Sequence, residues 1–184
     1  AFNRLVYSGE LVRHERLLPG GLTAYTVSAS AATRLGVSRD RAELPSAAAL
    51  DLAIALQVFS FMGRHPRYRL TAEETASLLS RGAPANVPFV MSDELGLPAV
   101  FRVVLVANRA PAEAVRHLRT LIDQGERHAA LGAWIESRAL GFALLAPTAQ
   151  YAALLEKAIV RSRLLERAAV IVDTGPDAEH LAAH

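Results

Sequence analysis

The chain has 184 residues and a mass of 19.8 kDa, room for one ordinary domain or a small module joined to a larger one, with interior enough for a core. It contains no cysteine, which excludes disulfide frameworks, thiol nucleophiles, zinc fingers and iron–sulfur clusters. Twenty bases against 18 acids leave a net charge of +2, and 19 of the bases are arginine; residues 1–44 carry six arginines and four acids, so the basic excess lies in the first half.

Because 35 residues are alanine, which buries little area, the core must come from Leu, Val, Ile and Phe. Ala1–Ser8 reads as the end of a helix stopped by Gly9. Leu11–Leu18 and Leu22–Ser28 are extended runs on either side of the turn Pro19-Gly20-Gly21, which predicts a β-hairpin. Ser28 or Ser30 caps a short helix through Leu35, closed by Gly36. After a polar link, Val37–Glu43, the signals Pro45 and Ser46 start a helix to about Met62, with Leu50, Ile54, Val58 and Phe61 at helical spacing. Thr71 and Glu74 make a capping box for a helix over Ala72–Arg81, and Gly82–Pro88 is a loop.

From there the period changes. Val87–Met91 is a short strand, and Ala99–Ala107 is a nearly unbroken apolar strand interrupted only by Arg102. Pro111 opens a helix to about Gln124 with Val115, Leu118, Leu121 and Ile122 inward, followed by a second helical piece near Ala129–Ser137. Gly141–Ala146 is a strand, Thr148–Arg163 a helix, and Ala168–Val172 the last strand. The expectation is an α/β (α+β) chain: a module over 1–44, an α/β domain over 45–173 whose mixed sheet is flanked by helices in the order ααββαβαβ, and a frayed tail over 174–184.

The phrase Arg4-Leu5-Val6-Tyr7-Ser8-Gly9-Glu10-Leu11-Val12-Arg13, followed after the Pro-Gly-Gly tip by Tyr25-Thr26-Val27-Ser28, resembles the helix and wing of a winged helix-turn-helix. Two helices that normally precede that helix are not in this sequence, so the match is to a partial winged helix. The resemblance implies DNA as partner, with Asn3 and Arg4 on the helix reaching base edges or phosphates. Arg13, His14 and Arg16 along the wing would offer charge to the backbone. An ordinary hairpin with a charged face, or a winged helix used for protein contacts, is the alternative.

Winged helix, helix and β-β-α-β-α-β together resemble the replication-relaxation and plasmid-mobilisation group, whose second domain is restriction-endonuclease-like. That resemblance implies a role in plasmid replication or transcription regulation. It would also imply an acid on one strand and an acid-x-lysine on the next, to hold Mg²⁺. Asp93 and Glu94 follow the first strand, but Phe101-Arg102-Val103-Val104-Leu105-Val106 offers neither acid nor lysine. The expectation is therefore a catalytically silent scaffold with no cofactor and no metal. The alternatives are a metal-dependent nuclease that uses Asp93 and Glu94 with Asp51 or Glu73, or a structural module that meets a protein partner or a second copy of itself.

No other constellation reaches a motif. The histidines at 14, 65, 117, 128, 180 and 184 lack ligand spacing and read as surface residues, and Trp134 reads as core or interface. The longest apolar stretches, Ala99–Ala107 and Leu140–Pro147, fall short of the roughly 20 residues of a membrane span, and Ala1–Ser8 has no apolar signal region. A cytoplasmic protein without a membrane partner is expected.

Overall fold

In the computed structural model, residues 2–15, 23–36, 46–61, 67–79, 87–106 and 109–174 are described. They form a mixed α/β structure with a two-stranded antiparallel sheet and a five-stranded mixed sheet. Two compact units part inside the third helix, between Ile54 and Ala55. The Pro19–Gly21 tip, Arg16, the link 37–43, most of the loop before Val87 and the tail beyond Thr174 lie outside the described residues. No described helix is long and apolar enough to cross a membrane.

The first unit contains α1 (Phe2–Tyr7), β1 (Leu11–His14), β2 (Ala24–Val27) and α2 (Ala29–Arg34). Six-residue helices are too short to persist on their own hydrogen bonds, so their ends decide whether they form. At α1 the Gly9 N–H donates to the Val6 carbonyl at 3.0 Å and the Glu10 N–H to the Leu5 carbonyl at 2.9 Å. This is a Schellman closure, and it requires the left-handed φ of +71° that Gly9 adopts. The chain then enters β1, which pairs with β2 from Leu11 opposite Val27 to His14 opposite Ala24. Ser28 closes the hairpin through its N–H to the Glu10 carbonyl (2.8 Å) and caps α2 by accepting from the Ala31 N–H (3.2 Å).

The third helix, α3 (Ala47–Phe61), starts at Ser46, whose Oγ accepts from the Ala49 N–H at 3.2 Å. The second unit continues with β3 (Arg67–Arg69), α4 (Ala72–Leu79), β4 (Phe89–Ser92), β5 (Val100–Leu105), α5 (Pro111–Arg127) and α6 (Ala129–Glu136). It ends with β6 (Leu140–Ala146), α7 (Ala149–Arg161), α8 (Leu164–Arg167) and β7 (Ala169–Thr174). The order anticipated from sequence is present, with β3 and α8 as additions. The capping box forms as expected: the Thr71 N–H donates to Glu74 at 2.7 Å and the Glu74 N–H to Thr71 Oγ1 at 3.2 Å.

The sheet runs β3-β4-β5-β6-β7 in chain order. The β3–β4 and β4–β5 pairs are antiparallel, and β5, β6 and β7 are parallel, joined by the helical crossovers that parallel neighbours need. On one face Val100, Leu140, Phe142 and Leu144 pack against Leu118 and Ile122 of α5 and Leu155 and Ile159 of α7. All seven residues of β6 are buried, as the middle strand of a parallel set must be. Each such Leu or Phe contributes about 1.5–3 kcal/mol by leaving water. On the other face Phe101 is buried and meets Phe59 of α3 edge-on, with ring centroids 6.2 Å apart and planes at 84°.

Candidate nucleic-acid interface

The residues singled out as DNA contacts sit on α1 and β1. Asn3 and Arg4 are exposed on α1, one turn before the Gly9 closure. Arg13 is exposed on β1 and pairs with Glu15, its guanidinium 3.4 Å from the carboxylate. In the hairpin register Arg13 lies opposite Tyr25 and His14 opposite Ala24, which places Arg13 and His14 on opposite faces of the ribbon. His14 is half-buried, with Nε2 2.9 Å from Thr26 Oγ1, a contact that ties the two strands together. Arg16 lies outside the described residues.

Between α1 and α2 the first unit has an open pocket of about 210 Å³, floored by Leu11, Val27 and Ala31. The Glu10–Arg34 ion pair lies at its rim with a separation of 3.4 Å. Leu35, which lines the pocket, is 69% exposed, and Tyr7 at the end of α1 is 92% exposed.

In the second unit, Asp93 is exposed and Glu94 is engaged by Arg67 at 3.6 Å. Glu73 is exposed on α4, and nothing is described for the Asp51 side chain. Among the described residues no group of three or more His, Asp or Glu could hold a metal ion.

Two arrangements escaped the sequence reading. The first is Arg67, whose side chain is only 8% exposed. Its guanidinium lies 4.2 Å from the Phe59 ring centroid and 3.6 Å from Glu94, and it also lies 3.6 Å from Asp173 at the far end of β7. Edge strands of a flat five-stranded sheet would be about 19 Å apart. Right-handed twist lifts diagonally opposite corners toward one face, and the start of β3 and the end of β7 are such corners. The Arg67 Nε is buried without a partner among the described residues.

The second arrangement is basic. Arg102 is partly buried in β5 beside Phe89 and Phe142 in register, and burial pushes its pKa below the ordinary arginine value. His117 of α5 is held below the usual histidine value by its own partial burial, then by the charges of Arg109 and Arg102. Tyr151 of α7 donates its hydroxyl to the Arg109 carbonyl at 2.5 Å, fixing the chain where α5 begins. Desolvation pushes the Tyr151 phenol up. The signal in the sequence was the single charge inside an otherwise apolar strand.

Comparison with protein-family models, with curated proteins and with solved structures finds no match.

Proposed function

We propose that the chain is a DNA-associated accessory protein that contacts phosphates through α1 and the β1–β2 wing, with the α/β unit as a scaffold. The observation that supports this reading is the local geometry of the first unit. A short helix is closed at Gly9 and passes directly into an antiparallel ribbon, and exposed Asn3 and Arg4 on the helix and Arg13 on the ribbon are available to a ligand. A helix end and a ribbon are the two elements with which a winged helix approaches duplex DNA. The resemblance to replication-relaxation and plasmid-mobilisation proteins belongs to the same proposal, as does a silent nuclease-like role for the second unit.

Fluorescence anisotropy with a labelled random duplex at two salt concentrations tests it. If Arg4, Arg13 and Arg16 each neutralise one phosphate, log affinity falls against log salt with a slope of about −3 or shallower, and Arg4→Ala removes roughly 1 from that slope. Association that ignores salt, or none at all, overturns the proposal. A parallel sample with Mg²⁺ addresses the nuclease alternative: cleavage that Asp93→Ala abolishes would replace the scaffold reading with a catalytic one.

A second reading has its own support. Tyr7, Leu35 and Val12 are exposed in one small unit, and exposed apolar groups favour a protein partner, including a second copy of this chain. Concentration-dependent sedimentation that Tyr7→Ser shifts to the smaller species would favour that reading.

A further inference from the structure

The five-stranded sheet has two edges, and they are built differently. An edge strand presents unpaired backbone groups to any strand that comes near, and short length and charged side chains are the usual defences. Strand β3 has both, being three residues long with arginine at two of them. Strand β7 has neither. Its six residues begin Ala169-Val170-Ile171-Val172, carry no charge before Asp173, and have no described strand along their outer side.

The ladder fixes which groups are left over. The Ala139 and Leu145 carbonyls accept from β5, so the odd-numbered residues of β6 bond to β5 and the even-numbered ones to β7. With Phe142 opposite Val170, it is Ile171 and Asp173 that bond back to β6, and Val170 and Val172 turn their N–H and C=O outward. The open stretch ends at Thr174, whose N–H donates to the Asp173 carboxylate at 2.8 Å. The flank of α7 is bare on the same side. Tyr151 turns toward α5, with its hydroxyl on the Arg109 carbonyl, and Leu155 and Ile159 point into the core. At about 100° per residue, Ala153 and Val160 emerge on the flank away from α5, where Val160 is 63% exposed.

We propose that β7 is a dimerisation edge, at which two copies of this chain pair β7 with β7, antiparallel, and join their sheets into one. A two-fold axis at Ile171 sets Val170 opposite the partner's Val172, each such pair exchanging both of its backbone hydrogen bonds. Ile171 then meets its own counterpart and Asp173 falls opposite an alanine, so no like charges are brought together. Two short strands alone fall short of the roughly 1,000 Å² that a specific interface buries. An extended peptide would leave Val160 in water, whereas a second copy brings its own α7 flank over the seam. The surface lies wholly in the second unit and rests neither on DNA contact by the wing nor on the exposed Tyr7.

Sedimentation of the full chain over a wide concentration range, with amide hydrogen exchange followed by NMR, tests it. The Val170 and Val172 amides should exchange slowly in concentrated samples and faster on dilution, while those of Ile171 and Asp173, bonded to β6, stay slow throughout. Val160→Glu, at an exposed position, should raise the dimer dissociation constant about tenfold or more. Val172→Pro removes an outward donor and no bond to β6, and should act in the same direction. A far-ultraviolet dichroism spectrum establishes that it is folded, and Val160→Glu and exchange in the parent carry the test if it is not. A monomer at every concentration overturns the proposal, as do Val170 and Val172 amides whose exchange ignores dilution. So does a dimer that Tyr7→Ser dissociates and Val160→Glu leaves intact, which would place the association in the first unit.

Discussion

Residues 140–146 are buried without a break, whereas over residues 2–36 the fully buried apolar side chains described are Ala31 and Ala32. Both stretches hold regular structure, but for different reasons. In β6 the strand persists because Leu, Phe and Ala side chains on both faces leave water. In the first unit the gain from burial is small, and α1, the hairpin and α2 are defined by closures at Gly9, Ser28 and Gly36. The same contrast bears on function. Elements that bury little keep their side chains available to a ligand, as Asn3, Arg4 and Arg13 do, whereas a polar group in the packed sheet must find a partner or pay for its absence.

Substitutions that touch one kind of support and spare the other sharpen this contrast. The largest effect is expected from Leu144→Ala. Leu144 is fully buried in β6, and its removal should destabilise the second unit by about 2–5 kcal/mol. Urea unfolding followed by Trp134, the sole tryptophan, which packs against that core, reads this unit. Arg67→Ala should cost about 2 kcal/mol in the same measurement. Glu94 and Asp173, 28% and 46% exposed, would lose their common partner but retain water, which keeps the loss below that of a fully buried pair. Arg67→Met, which keeps a stem on the Phe59 ring, should come close to the parent. A smaller loss is expected from Gly9→Ala: at φ +71° a side chain costs about 1–2 kcal/mol, and no neighbouring atom is close enough to add to it. Faster hydrogen exchange at residues 2–15 would report it. If exchange there did not change, burial rather than the turn would be what holds α1.

What could be foreseen from sequence follows the same division. Local devices are written in neighbouring residues, so Gly9, Ser28, the Thr71–Glu74 box and Pro111 at the start of α5 were legible. The apolar runs of β5 and β6 were legible because burial on both faces leaves little alternation, and the half-buried edge strand β7 was legible from its run of valine and isoleucine. Strand β3 was not. Arg67-Tyr68-Arg69 carries no apolar period and is a strand only because β4 lies beside it. Nor could Arg67 be read as buried, since its partner Asp173 is remote in the chain and meets it only in the folded sheet. Of the proposed DNA contacts, sequence located Arg4 and Arg13 in the exposed positions they occupy, but not that Glu15 would answer Arg13 or that His14 would bond across the hairpin. His117 read as an ordinary surface histidine because the arginines that act on it are brought near only by folding.

That histidine gives the smallest effect and a direct view of the basic charges around the start of α5. Its pKa lies below the unfolded value when folded, first through desolvation and then through Arg109 and Arg102. At a pH above the unfolded value both states are neutral at this position, and the group adds no pH dependence. As pH falls through the unfolded value, near 6.5, the unfolded chain takes up a proton that the folded chain resists. Stability is therefore lost progressively until the folded pKa is passed, and is constant below it. His117→Gln should flatten the stability profile on the acid side of neutrality without changing it above pH 7. Urea titrations of the parent and of His117→Gln across that range should give two profiles that merge at high pH. An acid limb as steep in His117→Gln as in the parent would place the titrating charge elsewhere in the sheet unit.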